Sequence, residues 1–386
     1  MSDKFHFIDE EFERRRRAGQ VRRLRPVQPL DGAGLDIDGR RLINFCANDY
    51  LGLSRHPLLP ERAAVFMAAY GAGSTASRLV CGNYACMDQV EKKLAAAKQA
   101  ESALLFSSGY QANATLLPAL ADRDTLIFSD RLNHNSIIAG CRLARCAVRQ
   151  FAHNDPADLA EQLRTIRPDE YSRIIIVTET VFSMDGDCCR LDDLLDLAER
   201  YDALLVVDEA HATGVFGTNG MGLADGRPVD AVMGTFGKSG GSFGAYVAGS
   251  EKLRQYLINC CAGFIYTTAL PPAVIGEIDA ALDLIPQLDA ERIRLLETAE
   301  HLRSRLGRAG FDTGASASQI IPVIIGAESD ALDLAGYLEE QGFLAVAIRP
   351  PSVPPGRSRI RISLSALHTE AEVAALAAAL EQWSPP

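Results

Sequence analysis

The chain has 386 residues, 47% hydrophobic and 23% charged, and a mean hydropathy of +0.01; at ~150 residues per domain it can bury at least one large core and is not a disordered tail. Its 39 Lys and Arg stand against 50 Asp and Glu, and the net charge of −11 excludes a general polyanion-binding surface and with it nucleic acid as a partner. Nine cysteines, including the adjacent pairs Cys188-Cys189 and Cys260-Cys261, are odd in number and match no zinc spacing, so the expectation is a reduced, cytoplasmic protein with no bound metal.

In chain order, Met1 to Lys4 carries no apolar leader core, so no secretory leader is expected. Phe12 to Arg25 holds Arg14, Arg15, Arg16, Arg17, Arg22, Arg23 and Arg25, a basic arm on an acidic protein, expected as a solvated helix. Glu61 to Tyr70 reads as a helix after Pro60. From Thr125 onward short apolar runs alternate with amphipathic ones: Thr125 to Phe128, Asn135 to Leu143, Arg173 to Val177, Asp192 to Tyr201, Ala203 to Val207. That alternation predicts βαβ units and a mostly parallel sheet, with the uninterrupted runs 174–177 and 204–207 as central strands.

The longest uncharged stretch, Gln255 to Gly276, is broken by Pro271-Pro272 and is not read as a membrane span. Helical patterns then precede a smaller α+β section with strands at 320–325, 344–348 and 359–364, a helix at 330–341 and a last helix opened by the capping box Thr369-Glu-Ala-Glu372. The expected organisation is an N-terminal arm or subdomain over 1–47, a large α/β domain over 48–283 and an α+β domain over 284–386.

In an open parallel sheet the chemistry gathers beyond the carboxyl ends of the strands. Asp208 ends the apolar run 203–207, and His211 follows three residues later; a carboxylate there needs a cation or donors. Lys238 lies in the small-residue loop Gly234-Thr235-Phe-Gly237-Lys238-Ser-Gly240-Gly241, suited to a nucleophilic amine or an anion clamp, with Thr235 able to meet a phosphate. The segment imitates the end of a P-loop, but that motif requires glycine where Val232 stands. Gly71-Ala-Gly73-Ser-Thr-Ala76 fits a dinucleotide fingerprint in letters but follows a helix rather than a strand. Ser107-Ser108-Gly109-Tyr110-Gln111 opens a helix and so forms an anion pocket.

Together these features resemble fold-type I pyridoxal-phosphate enzymes. More narrowly, Asn44-Phe-Cys-Ala-Asn48-Asp-Tyr50-Leu-Gly52, Val177 to Asp187, Asp208-Glu-Ala-His211 and Gly234 to Lys238 are similar to the α-oxoamine synthase family across nearly the whole chain. The implied fold is a mostly parallel central sheet with helices on both faces plus a smaller α+β C-terminal domain. Ala347-Ile-Arg349-Pro-Pro351-Ser352-Val-Pro354 and Phe151-Ala-His-Asn-Asp155 resemble the members that condense L-alanine with pimeloyl-CoA or a pimeloyl carrier protein in biotin synthesis.

The resemblance implies a role for each site residue. Lys238 binds the cofactor aldehyde and then acts as base, Asp208 holds the ring nitrogen, His211 meets the phenolic oxygen with Ser183 close by, and His134 stacks on the ring. Ser108, Gly109, Tyr110 and Thr235 cradle ring and phosphate. Arg361 grips the substrate carboxylate with Asn48 assisting, while Ser352 touches substrate and Arg22 guides the thioester. Thr267 and Thr268 reach the phosphate of a neighbouring subunit, which implies a homodimer with shared sites. Thr75-Ala76, Met87 and Ala212 depart from the family pattern and leave acyl-chain preference open. A sibling synthase using glycine, a fold-type I aminotransferase and a non-catalytic pyridoxal-binding protein remain as rival readings.

Overall fold

The structure, a computed structural model, describes residues 4–17, 19–167 and 170–384; Met1 to Asp3, part of the leader expectation, lie outside them. Its centre is a seven-stranded sheet of β1 (Ser102–Phe106), β2 (Thr125–Asp130), β3 (Ala147–Phe151), β4 (Arg173–Glu179), β5 (Ala203–Asp208), β6 (Ala231–Thr235) and β7 (Ala245–Gly249). The spatial order is β1-β7-β6-β5-β4-β2-β3. β2 to β6 pair in parallel. β7 is antiparallel to both β1 and β6, so β1 points the same way as β6 and six carboxyl ends face one edge. The runs 174–177 and 204–207 sit in β4 and β5, in the middle of the sheet as expected.

Both sheet faces are covered, which is why these strands read as unbroken apolar runs. Alternate side chains enter opposite cores. Leu104, Phe106, Ile175, Val177, Val206 and Met233 pack on one side with Leu116, Ile137 and Leu257. On the other side Leu105 and Tyr246 meet Val90 and Ile278, and Ile176, Leu205 and Val207 meet Leu159 and Leu194.

The C-terminal section has a three-stranded antiparallel sheet with Ser358–Ser363 between Ile320–Gly326 and Val346–Ile348, packed against helices Asp289–Arg308, Glu328–Glu340 and Glu370–Gln382. The Thr369–Glu372 capping box is formed in both directions. The strand expected at 344–348 is divided. Phe343–Leu344 pairs in parallel with Ile43 and Asn44, whereas Val346 pairs with Arg361, so the chain changes sheets at buried Ala345. The partner of Phe343–Leu344 is an N-terminal hairpin, Gly34–Ile37 with Arg40–Asn44, which periodicity did not announce because its strands carry Asp36, Arg40 and Arg41. Among the described residues no helix is long and apolar enough to cross a membrane; the 255–276 stretch is divided among helices Glu251–Cys260, Ala262–Ile265 and Pro272–Leu284.

Two devices hold the segment after β5. Gly214 has φ 89°, and a Cβ there would collide with Ser239 beside Lys238, so glycine lets the two loops touch. Next to Asp208, Glu209 is fully buried and accepts from Lys98 Nζ at 2.6 Å and from the Ala224 N–H at 2.8 Å. Burial works against the Lys98 charge, but Glu209 and Tyr246 outweigh it and hold the ammonium above its ordinary range. Lys98→Met leaves the carboxylate without its cation, so chemical denaturation is expected to show a loss of about 3–5 kcal/mol, partly recovered in Lys98→Met/Glu209→Leu; a loss below about 1 kcal/mol for the single variant contradicts this account.

Candidate active site

Beyond the common carboxyl edge the strand ends deliver their polar residues to one place. β1 runs into Ser107 and Ser108, β2 into Asn133 and His134, β4 ends at Glu179, β5 at Asp208, and β6 at Thr235 ahead of Lys238. Register sets Glu179 directly beside Asp208.

Lys238 Nζ lies 2.8 Å from His211 Nε2. On the other side of that ring, Nδ1 is 2.6 Å from the Tyr50 hydroxyl, which donates to Asn48 Oδ1 at 3.0 Å. Arg361 Nη2 donates to the same Asn48 oxygen at 3.2 Å. Its Nε donates to the Ser183 carbonyl at 2.6 Å and its Nη1 to Ser363 Oγ at 2.6 Å, so the guanidinium is aimed from a strand by three partners and keeps N–H groups for an anion.

Asp208 is held by donors on both oxygens, Asn113 Nδ2 at 2.7 Å and the Ala210 N–H at 2.8 Å. Asn113 also donates to Ser136 Oγ at 3.0 Å, and that hydroxyl meets His134 Nδ1 at 2.7 Å. His134 caps helix Asn135–Leu143, and its backbone N–H donates to Glu179 Oε1 at 2.7 Å; Glu179 Oε2 accepts from the Ser183 N–H at 3.2 Å. Ser108 caps helix Gly109–Leu120 by accepting from the Gln111 N–H at 3.2 Å. The earlier N–H groups of Gly109 and Tyr110 are those a helix leaves without an internal acceptor. A Cβ on Gly109 would stand 3.9 Å from Thr235 Cβ, so the helix start adjoins the end of β6.

Burial sets the protonation states. It lowers Lys238 to about 8, against the opposing pull of Asp208 and Glu179, with Arg361 adding to the depression. Burial, then Lys238, Arg361 and His134, hold His211 well below the usual imidazole range, so it is neutral. Burial also lowers His134. Glu179 is pushed well above the carboxylate range by burial and by its neighbour Asp208.

Hydrogen bonds thus join Lys238, His211, Asn48, Ser183 and Arg361 in one network, to which Glu179 links His134 and, through Ser136 and Asn113, Asp208. Ser108, Gly109, Tyr110 and Thr235 line up along the helix start and the end of β6, although Tyr110 is 52% exposed and Thr235 Oγ1 donates to the Gly244 carbonyl. Thr267 and Thr268 line a small cleft with Ser107, Arg78 and Met87, and Thr268 bridges to Ser77. Arg22 and Ser352 are exposed and have no hydrogen bond to this network among the described contacts. Their segments are tied together, since Arg349 donates to the Gly19 carbonyl and accepts from the Ser352 N–H at 3.1 Å.

Sequence reading did not single out Tyr50, Glu179, Asn113 or Ser136. Tyr50 and Glu179 lay inside motifs already noted, and Asn113 falls one turn beyond Gly109 on the same helix face. The donor set suits a phosphorylated pyridine aldehyde: an amine of depressed basicity, a buried carboxylate with lone pairs to spare for a protonated ring nitrogen, and a helix start for the phosphate.

Comparison with known proteins gives the same answer. The family model described as aminotransferase class I and II matches residues 40–380. A protein of Desulfosudis oleivorans, provisionally named 8-amino-7-oxononanoate synthase, is 66% identical over 99% of this chain and 100% of its own. The 8-amino-7-oxononanoate synthase of Gluconacetobacter diazotrophicus is 51% identical over 92% of each chain. The solved structure of a lysine-to-alanine variant of serine palmitoyltransferase from S. paucimobilis, bound to pyridoxal phosphate and myriocin, superposes with a TM-score of 0.92 at 27% identity, covering 98% of each chain. The cofactor is pyridoxal phosphate, and the chain belongs to the aminotransferase class I and II family, as a pyridoxal-phosphate-dependent acyltransferase grouped with the 8-amino-7-oxononanoate synthases.

Proposed function

We propose that the chain condenses L-alanine with a pimeloyl thioester, carried by CoA or a carrier protein, to give 8-amino-7-oxononanoate, free thiol and CO2 in biotin synthesis. The observation that carries this reading is the link from the Lys238 amine through His211, Tyr50 and Asn48 to Arg361. It sets a base and a carboxylate receptor in one part-buried network, as an α-amino acid substrate requires.

When bound, pyridoxal phosphate supplies an electron-accepting ring that stabilises negative charge at the amino acid's α-carbon. Lys238 would hold the cofactor's aldehyde and would move the proton at the amino acid's α-carbon, a task suited to an amine lowered to about 8. Asp208, fixed by Asn113 and Ala210, keeps the ring nitrogen protonated. His211 and Ser183 would serve the phenolic oxygen, and His134 would lie against the ring. Ser108, Gly109, Tyr110 and Thr235 would receive the phosphate, and Thr267 and Thr268 would do so for a partner subunit. Arg361 binds the alanine carboxylate through the N–H groups its fixed bonds leave over, and Asn48 orients it. Ser352 borders the substrate. Arg22, on the segment joined to Ser352's through Arg349, meets the thioester at the entrance.

Three measurements check this. With alanine and pimeloyl-CoA, mass spectrometry is expected to find 8-amino-7-oxononanoate with one thiol released per product; preference for glycine or serine, or for acetyl- or palmitoyl-CoA, gives the site to a sibling reaction, and Lys238→Ala is expected to lose at least ~10^3 in turnover. Aldehyde capture needs the neutral amine, which becomes abundant as pH rises through the Lys238 value. The capture rate in cofactor-free protein should therefore climb with a midpoint near pH 8, whereas continued climbing toward ~10.4, the value of a free lysine, contradicts the burial effect. Light scattering is expected to show a dimer, consistent with Tyr266 beside Thr267 being 84% exposed; a fully active monomer removes the shared site.

A further inference from the structure

We propose that Tyr50 is a positioning residue: its single hydroxyl proton, directed onto Asn48 beneath Arg361, sets the tautomer of His211 and thereby gives the protonated Lys238 amine its acceptor. This rests on Lys238 being the reactive amine, and on no particular acyl substrate.

The direction of the chain follows from one end. A guanidinium only donates, so the Asn48 atom facing Arg361 Nη2 at 3.2 Å is the amide oxygen. That oxygen also faces the Tyr50 hydroxyl at 3.0 Å and can only accept, so the one hydroxyl proton goes to Asn48. The Tyr50 oxygen, 2.6 Å from His211 Nδ1, must then accept, which places the imidazole proton on Nδ1. His211 is neutral and carries a single ring proton, so Nε2 is bare. It faces Lys238 Nζ at 2.8 Å, where an ammonium can donate to it.

The Tyr50–His211 bond is closed to solvent, Tyr50 being 0% and His211 5% exposed, while the flanking bonds to Asn48 and Lys238 are part-buried. The other charged or polar groups bearing on the chain are Asp208, Glu179 and Arg361 at Lys238, Lys238, Arg361 and His134 at His211, and Arg361 and Gln319 at Tyr50. Gln319 Nε2 donates to the His211 backbone carbonyl at 2.9 Å, which fixes the ring's attachment and leaves the tautomer to Tyr50. Without the hydroxyl, an Nδ1–H would be a buried donor with no acceptor, a costly state. The ring would then carry its proton on Nε2, and two donors would confront each other at Lys238.

The test uses the full-length chain freed of cofactor and labelled with 15N-histidine, His211 being assigned by its disappearance in His211→Gln. Long-range 1H–15N spectra are expected to show Nδ1 protonated and Nε2 bare in the wild type. In Tyr50→Phe, which keeps the buried ring, the proton is expected on Nε2. The midpoint of Lys238 labelling by an amine-reactive reagent, followed by peptide mapping, is expected to fall by about one pH unit, a tenfold change in the amine's proton affinity. A wild-type His211 protonated on Nε2 overturns the proposal, as does a folded Tyr50→Phe protein with either the tautomer or the labelling midpoint unchanged. If Tyr50→Phe does not fold, the wild-type tautomer decides alone. Failure of the product assay with alanine and pimeloyl-CoA leaves both readouts intact, so the two readings fail separately.

Discussion

The structure depends on keeping several ionisable groups out of water at a single sheet edge. Two carboxylates, Glu179 and Asp208, are register neighbours, and like charges at that spacing cannot both ionise cheaply. The difference between their partners resolves the conflict. Asp208 receives an amide N–H and a backbone N–H, whereas Glu179, entirely buried, is raised far above the carboxylate range and ties the His134 and Ser183 backbones together. Lys238 completes the set as an amine whose proton is only weakly held. One arrangement of buried charge thus sets a raised carboxyl, Glu179, and a lowered amine, Lys238, near one another.

That arrangement needs stiff loops, and the fold supplies them with further buried ion pairs. Lys98 and Glu209 pin the turn after β5. His153 stands between Asp130 at 3.0 Å and Asp187 at 3.1 Å with its ring edge-on to Phe182. Burial opposes its charge, but the two carboxylates prevail and raise it to about 10. It therefore bridges the end of β2 to the loop carrying Ser183. The Phe151 to Asp155 segment, noticed for its family resemblance, thus acts as a clamp behind the site.

The C-terminal section contributes more than bulk. Arg361 lies on its central strand and reaches Ser183 and Asn48. Neighbouring Arg359 donates to Asp185 Oδ1 at 2.6 Å and to the Met184 carbonyl at 3.2 Å, so two arginines of one strand seat the 183–187 loop. The period-2 alternation of Arg359-Ile-Arg361-Ile is the signature of a strand with one apolar face. Here its polar face turns toward the site loops rather than toward solvent.

The amino-acid sequence by itself determined the strand and helix alternation of 125–128, 135–143, 173–177, 192–201 and 203–207, the central place of 174–177 and 204–207, the capping box at Thr369, and the motifs holding Asp208, His211 and Lys238. Those are local signals: apolar runs, helix-start chemistry, and glycines where backbones crowd. Tertiary structure alone decided that β7 runs against its neighbours, that the N-terminal hairpin joins Phe343–Leu344, and that Tyr50 stands between His211 and Asn48. Strand pairing and side-chain hydrogen bonds join residues far apart in the chain, as between Tyr50 and His211, and no spacing along the chain encodes which distant partners satisfy a buried group.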